Sequence, residues 1–376
     1  MTYNNVVSHS SASSHRNTHV DVFRSLALLT IFINHIPGTI YSHMTHKNFG
    51  FSDSTEVFVL LSGIALGLTC KEDFPQEIKI TTHIRKSFKR ALKFYTAYLS
   101  TSFITLFFFI GAFFIWQCDQ LIAKNNISLF ITDPFIAFLS LLSFGHQLGY
   151  NNILSLYIVF ALFSPFALYL SSKNKGLFLL GSFVLYLVCS FYRTAPPSYP
   201  LPGHWFLNPL SWQFLFVIGL TSTLYIKQGG RIICRPLIIF AAISYLILSL
   251  LWVRLHWWGS LAWIGWSWPL FDFNKTFLGI PRLLHIISLS SLILCLPCLY
   301  ERFNLSNRHC LTILGKHGLP VFTTGTVVAM AAQVINILTT RTFLSDSFLV
   351  FGGIGLQFAV AYCCEYYANR KFRLSS

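Results

Sequence analysis

Three short stretches of the chain place ionisable side chains inside apolar surroundings. The first is DVFRSLALLTIFINHIPG, residues 21–38, which carries Asp21, Arg24, Asn34 and His35. In an α-helix, eleven positions turn the chain about 20° past three full turns, so Arg24 and His35 share a face, about 16 Å apart along the axis. Asp21 and Arg24 stand at i, i+3 and can pair. Pro37-Gly38 then breaks the helix beside His35. The second stretch is FSDSTEVF, residues 51–58, with Asp53 and Glu56 at i, i+3. The third is PRLLH, residues 281–285, with Arg282 and His285 at i, i+3. A carboxylate bonded to one imidazole nitrogen fixes the tautomer and raises the basicity of the other nitrogen, which is the wiring of a general base. His35 is therefore the candidate base, and Asp53 and Glu56 are the candidate groups that orient it. Arg24, Asn34, Arg282 and His285 are candidate substrate-binding groups. An Arg buried at the depth of Arg282 needs an anion, either a carboxylate such as Glu56 or a charged substrate.

Each stretch also has a purely structural reading. Arg24 can snorkel and His35 can sit at the interface. Asp53 can be a helix N-cap with Glu56 completing a capping box. Arg282 can serve an interhelical salt bridge. Capping and catalysis are compatible.

The elements that must hold these residues are set by composition. Of 376 residues, 54% are hydrophobic and 10% charged, with a mean hydropathy of +0.60. Soluble domains carry about 25% charged residues, so a water-soluble globule, a disordered chain, a coiled coil and a disulfide-stapled secreted domain are all excluded. At about 20 residues per span, the apolar content suffices for roughly ten helices. The apolar runs lie near residues 20–40, 55–70, 94–117, 151–171, 176–192, 211–226, 236–253, 276–299, 318–338 and 348–368. The expected fold is all-α and polytopic, with about ten transmembrane helices and both termini cytoplasmic. Residues 1–19 form a polar tail, 20–368 the membrane domain and 369–376 a second tail. Residues 134–144 are apolar but short, and read as an interfacial or re-entrant piece of the outer loop 118–150.

The net charge of +15 invites a nucleic-acid partner, but the charge follows topology. With the N-terminus inside, nineteen of the 27 Lys and Arg fall in inner segments and six in outer ones, a positive-inside asymmetry. No nucleic acid is expected. The basic stretch 83–93, with Arg85, Lys86, Lys89 and Arg90 on neighbouring turns, can attract phosphates or serve as a topology signal and lipid anchor. Six of the nine Trp (Trp252, Trp257, Trp258, Trp263, Trp266 and Trp268) gather at the outer interface, as an aromatic belt or a platform for sugar rings. The nine Cys show no disulfide framework. No His/Cys/carboxylate spacing argues for a metal, and no nucleotide loop or serine elbow is present. His146, His204 and His317 read as loop or interface residues.

The block DVFRSLALLTIFINHIPG followed by FGFSDSTEVFVLLSG (residues 21–38 and 49–63) closely resembles the OpgC family, membrane succinyltransferases of osmoregulated periplasmic glucans. NNILSLYIVFALFSP (151–165), NPLSWQFLFVIG (208–219), FLGIPRLLHIISL (277–289) and LGKHGLPVFTTGT (314–326) are similar to it as well, in order. The wider superfamily is that of ten-helix membrane acyltransferases (type three), whose first-helix Arg and His are matched by Arg24 and His35. The resemblance implies an enzyme of the bacterial inner membrane that moves an acyl group, succinyl in the family, from a cytoplasmic acyl-CoA to a hydroxyl of a glycan outside. It implies acyl-CoA as co-substrate with no tightly bound cofactor; its phosphates would meet Arg85, Lys86, Lys89 and Arg90. The competing class is a glycan flippase or proton-coupled transporter, in which the same buried His and carboxylates relay protons.

Overall fold

The structure is a computed structural model that describes residues 17–70, 80–257 and 272–375. It is 78% helical, with no strands among the described residues. The helices run α1 (Thr18–Asn34), α2 (Ser54–Leu68), α3 (Ile80–Trp116), α4 (Asp119–Ala123), α5 (Leu129–Thr132), α6 (Pro134–Leu142), α7 (Asn152–Lys173), α8 (Lys175–Phe191), α9 (Pro209–Lys227), α10 (Pro236–Arg254), α11 (Ile280–Cys295), α12 (Pro297–Arg302), α13 (Cys310–Lys316), α14 (Gly318–Leu338) and α15 (Phe343–Ser375).

Six of these, α3, α7, α9, α10, α14 and α15, are long and apolar enough to cross a membrane. The apolar helices α2, α8 and α11 are shorter. α1 has 17 residues and is interrupted by Asp21 and Arg24. Large apolar side chains face outward from the bundle, among them Phe107, Leu237, Phe240 and Phe348. Such a surface suits lipid and not water. At 37 residues, α3 is about 55 Å long by helix geometry and exceeds the bilayer core of about 30 Å. Its surplus first turns carry Arg85, Lys86, Lys89 and Arg90, all exposed.

The centre of the bundle is α9, whose Trp212 is completely buried. It packs on α2 and α8. The α2–α9 contact brings backbone against backbone. A methyl group on Gly63 would meet the Phe216 carbonyl, and one on Gly219 would meet the Leu60 carbonyl. Small residues permit this approach where no hydrophobic effect drives helices together in lipid. α1 is clasped by α2, α13 and α14; α14 in turn packs on α3 and α15, α3 on α7, and α10 on α11. A buried Ser87–Ser164 hydrogen bond of 2.8 Å pins α3 to α7.

The segment 118–150 folds into α4, α5 and α6. With nine residues, α6 reaches only about 14 Å, too short to span. Asp133 caps it by accepting from the Ile136 amide at 3.3 Å, and Tyr98 donates to the Leu141 carbonyl at 3.2 Å, fastening α6 to α3. Phe135 and Leu139 face outward.

The expectation of no disulfide needs one correction. Cys234, ahead of α10, is bonded to Cys295 at the end of α11, with Cα atoms 5.4 Å apart. Sequence spacing could not pair them, because 61 residues separate them. Of the tryptophan cluster, Trp258, Trp263, Trp266 and Trp268 lie outside the described residues. Trp252 packs edge-on against Phe51.

Candidate active site

Two polar centres are built on the elements above. The outer one starts at the head of α2. Asp53 is the N-cap: its Oδ1 accepts from the Thr55 amide at 2.8 Å, and Glu56 Oε2 accepts from the Asp53 amide at 2.9 Å, which completes a capping box. The carboxylates also form ion pairs. Arg282, entering from α11, donates through Nε to Glu56 Oε1 at 2.6 Å and through Nη2 to Asp53 Oδ2 at 3.2 Å. Lys275 donates to Asp53 Oδ2 at 2.5 Å. Glu56 has no exposed surface. The capping and salt-bridge readings of these residues are therefore realised together.

His285 stands one turn after Arg282 and shares a 2.7 Å hydrogen bond between its Nδ1 and Ser52 Oγ. His46, in the loop between α1 and α2, lies within electrostatic reach of Asp53, Lys275 and Arg282. Burial holds its imidazole below the ordinary 6.5, partly offset by Asp53. Burial likewise lowers the Lys47 ammonium.

The second centre is His35, at the C-cap of α1. Its amide donates to the Ile31 carbonyl at 2.9 Å. Its carbonyl accepts from Gln333 Nε2 of α14 at 2.7 Å, and Gln333 Oε1 accepts from Asn125 Nδ2 at 3.2 Å. Its ring stacks on Tyr150, with centroids 3.9 Å apart and planes 16° from parallel. The expected orientation of His35 by Asp53 or Glu56 is not what the structure has. Those carboxylates are engaged by Arg282, Lys275 and the start of α2, and neither bonds the imidazole. Lys275, Asp53 and Lys47 act on His35 only through space. Its Nδ1 is buried with no hydrogen-bond partner.

A narrow crevice opens from His35 between α1, α14 and α15. It is too tight to hold a water molecule and is lined by Leu28, Ile31, Phe32, His35, Phe322, Gly325, Thr326 and Gln357. Arg24 lies beyond Leu28 toward the N-terminal end of α1. It is paired with Asp21 at 3.1 Å and donates to the Gly315 carbonyl at 3.4 Å.

The other sequence candidates are dispersed. The Asn34 side-chain oxygen accepts from Thr45 Oγ1 at 2.8 Å and ties the following loop to α1. Arg85, Lys86, Lys89 and Arg90 form a separate exposed patch on α3. Among the described residues no group of His, Cys, Asp and Glu is arranged to hold a metal.

Sequence reasoning passed over Tyr150, Gln333, Lys275, Ser52 and His46. Gln333 and Gln357 carried a readable signal, since each is a carboxamide within an apolar span. Tyr150 and Lys275 carried none, being ordinary loop residues until the fold closes. His317 and Lys316 bind one carboxylate, Glu365 of α15, at 2.8 and 2.7 Å. They form a further charged knot near the start of α14.

A family model described as OpgC protein matches residues 16–369. The chain belongs to that family, and membership implies a transferase. Comparison with curated proteins and with solved structures gives no match.

Proposed function

We propose that this OpgC-family chain transfers an acyl group, succinyl by family, from a cytoplasmic acyl-CoA to a hydroxyl of an extracytoplasmic glycan at a bacterial inner membrane. Ten helices cross the membrane in this reading: the six long ones together with α1, α2, α8 and α11. An even number leaves both termini on one side, and the inner excess of Lys and Arg makes that side the cytoplasm. The observation that carries the reading is the placement of Arg24 and His35 on one face of α1, with a crevice leading inward from the half-buried imidazole.

The donor approaches from the cytoplasm. The exposed cations Arg85, Lys86, Lys89 and Arg90 attract its phosphates, and Arg24 meets the donor nearer the bundle. His35, with a nitrogen uncommitted to any other group, takes the proton of the acceptor hydroxyl. That oxygen bonds to the thioester carbonyl carbon, the carbon–sulfur bond breaks, and the proton passes from His35 to the departing thiolate. In place of the carboxylates, Tyr150 stacks on the imidazole and the Gln333–Asn125 pair holds the His35 backbone carbonyl.

The outer cluster of Asp53, Glu56, Arg282 and Lys275 receives the acceptor side. Arg282 commits Nε and Nη2 to the carboxylates, and its Nη1 remains to meet substrate, with His285 one turn on as a neighbouring polar group and Asn34, on α1, as a separate substrate contact. The test is mass spectrometry of extracytoplasmic glycans from wild-type, deletion and His35→Ala strains. The acyl mass increment is expected only in the wild type, with His35→Ala protein still present in the membrane. A full increment in His35→Ala would refute the assignment. Solute flux in proteoliposomes without acyl-CoA consumption would favour a transporter.

A further inference from the structure

The crevice beside His35 contains polar atoms that the fold leaves without a partner. Thr326, on α14, is 2% exposed, and its Oγ1 makes no hydrogen bond. His35 lines the same crevice, and its Nδ1 is likewise buried and unpartnered. Gln357 of α15, 1% exposed, completes the polar lining; its carboxamide reaches only the Gly353 carbonyl, at 3.4 Å. The rest of the lining is Leu28, Ile31, Phe32, Phe322 and Gly325. The crevice is too thin to admit a water molecule, so solvent does not satisfy these groups. Most Ser and Thr hydroxyls buried in these helices bond a carbonyl one turn back, as Thr221, Thr223 and Ser171 do. Thr326 does not. A buried hydroxyl kept without a partner calls for an explanation, and here it shares a wall with the candidate base.

We infer that this crevice receives the acyl end of the donor thioester, and that the Thr326 hydroxyl donates a hydrogen bond to the acyl carbonyl oxygen. The inference rests on the acyl-transfer reading above. When the acceptor oxygen bonds to the carbonyl carbon, negative charge grows on the carbonyl oxygen, and a donor already aimed there stabilises it without reorganisation. His35, on the wall of the same crevice, takes the acceptor proton through its unpartnered Nδ1 and returns it to the thiolate as the carbon–sulfur bond breaks. The aliphatic and aromatic lining excludes water, which protects the thioester from hydrolysis. As it stands the crevice has no room for a water molecule, so it must widen to take an acyl group, and a short one asks the least of it.

The experiment compares wild type, Thr326→Val and Thr326→Ser in detergent or nanodiscs. Val keeps the volume and removes the donor; Ser keeps the donor. Transfer from succinyl-CoA to glucan is measured together with binding of a nonreactive thioether analogue of succinyl-CoA and with thermal stability. Thr326→Val is expected to lower kcat by about a hundredfold, with binding of the analogue changed less than fivefold, and Thr326→Ser is expected to restore most of the rate. Wild-type rates in Thr326→Val would overturn the inference. So would equal loss in both variants with a matching fall in stability, the mark of a packing role. Wild-type protein that transfers no acyl group would overturn the underlying reading and this inference with it. Transfer in wild type with an unaffected Thr326→Val overturns this inference alone.

Discussion

Arg282→Met tests the outer cluster most sharply. Arg282 is the only described cation bonded to Glu56, and Glu56 has no exposed surface. Met replaces the stem of Arg at similar volume and removes the charge. Glu56 then stays buried with only the Asp53 amide as donor, while Asp53 keeps Lys275. Breaking a buried pair by removing one partner costs about 3–5 kcal/mol, because the remaining charge is uncompensated. Glu56→Met should cost less, because Arg282 keeps its bond to Asp53. The double variant leaves no buried charge unpaired and loses only one arm of the capping box, worth about 1 kcal/mol. Arg282→Met is therefore expected to be the least stable of the three, with Glu56→Met added to it restoring stability. The coupling between the two changes should exceed about 1 kcal/mol. Chemical unfolding of the purified proteins in one detergent, followed by helical circular dichroism, measures this. If Arg282→Met unfolds with the wild type, or if the two changes simply add, the ion pair is not what holds α11 to α2.

Two further predictions follow from the packing and the outer loop. Gly219→Ala puts a methyl group onto the Leu60 carbonyl and should destabilise the protein by about 1–3 kcal/mol through overpacking; an unchanged melting temperature would show that α2 and α9 can separate freely. His46 is held below 6.5 by burial, so the unfolded chain takes up its proton first as pH falls. Its contribution to stability is complete above about pH 6.5 and is lost as pH drops below that value. His46→Asn should flatten this part of the stability profile between pH 7 and 5, and an identical profile in the variant would refute it.

Much of the candidate site was legible in the sequence because helix geometry is local. The 100° step alone puts Arg24 and His35 on one face of α1, and i, i+3 spacing puts Asp53 with Glu56 and Arg282 with His285. The Asp53–Glu56 capping box is also a local pattern, and the helical, apolar character of the chain follows from composition. What sequence spacing could not decide is which side chain meets which across helices. Arg282 and Glu56 are 226 residues apart, and their pairing depends on α11 lying beside α2.

That pairing redirects the carboxylates. A sequence with one His and two nearby acids suggests that the acids serve the His, but a guanidinium at 2.6 Å is a stronger partner for a buried carboxylate than a neutral ring. The support of His35 instead comes from Tyr150, Gln333 and Asn125, which are scattered in the chain and unremarkable there. The Cys234–Cys295 bond, the crevice and the unpartnered Thr326 hydroxyl likewise exist only once α1, α10, α11, α14 and α15 have packed. Residue type and local spacing determined the helices and the face each polar group occupies. The tertiary structure alone decided which groups are satisfied and which are left for a substrate, because in a low-dielectric interior a charge or donor is governed by its nearest partner and not by its neighbours in sequence.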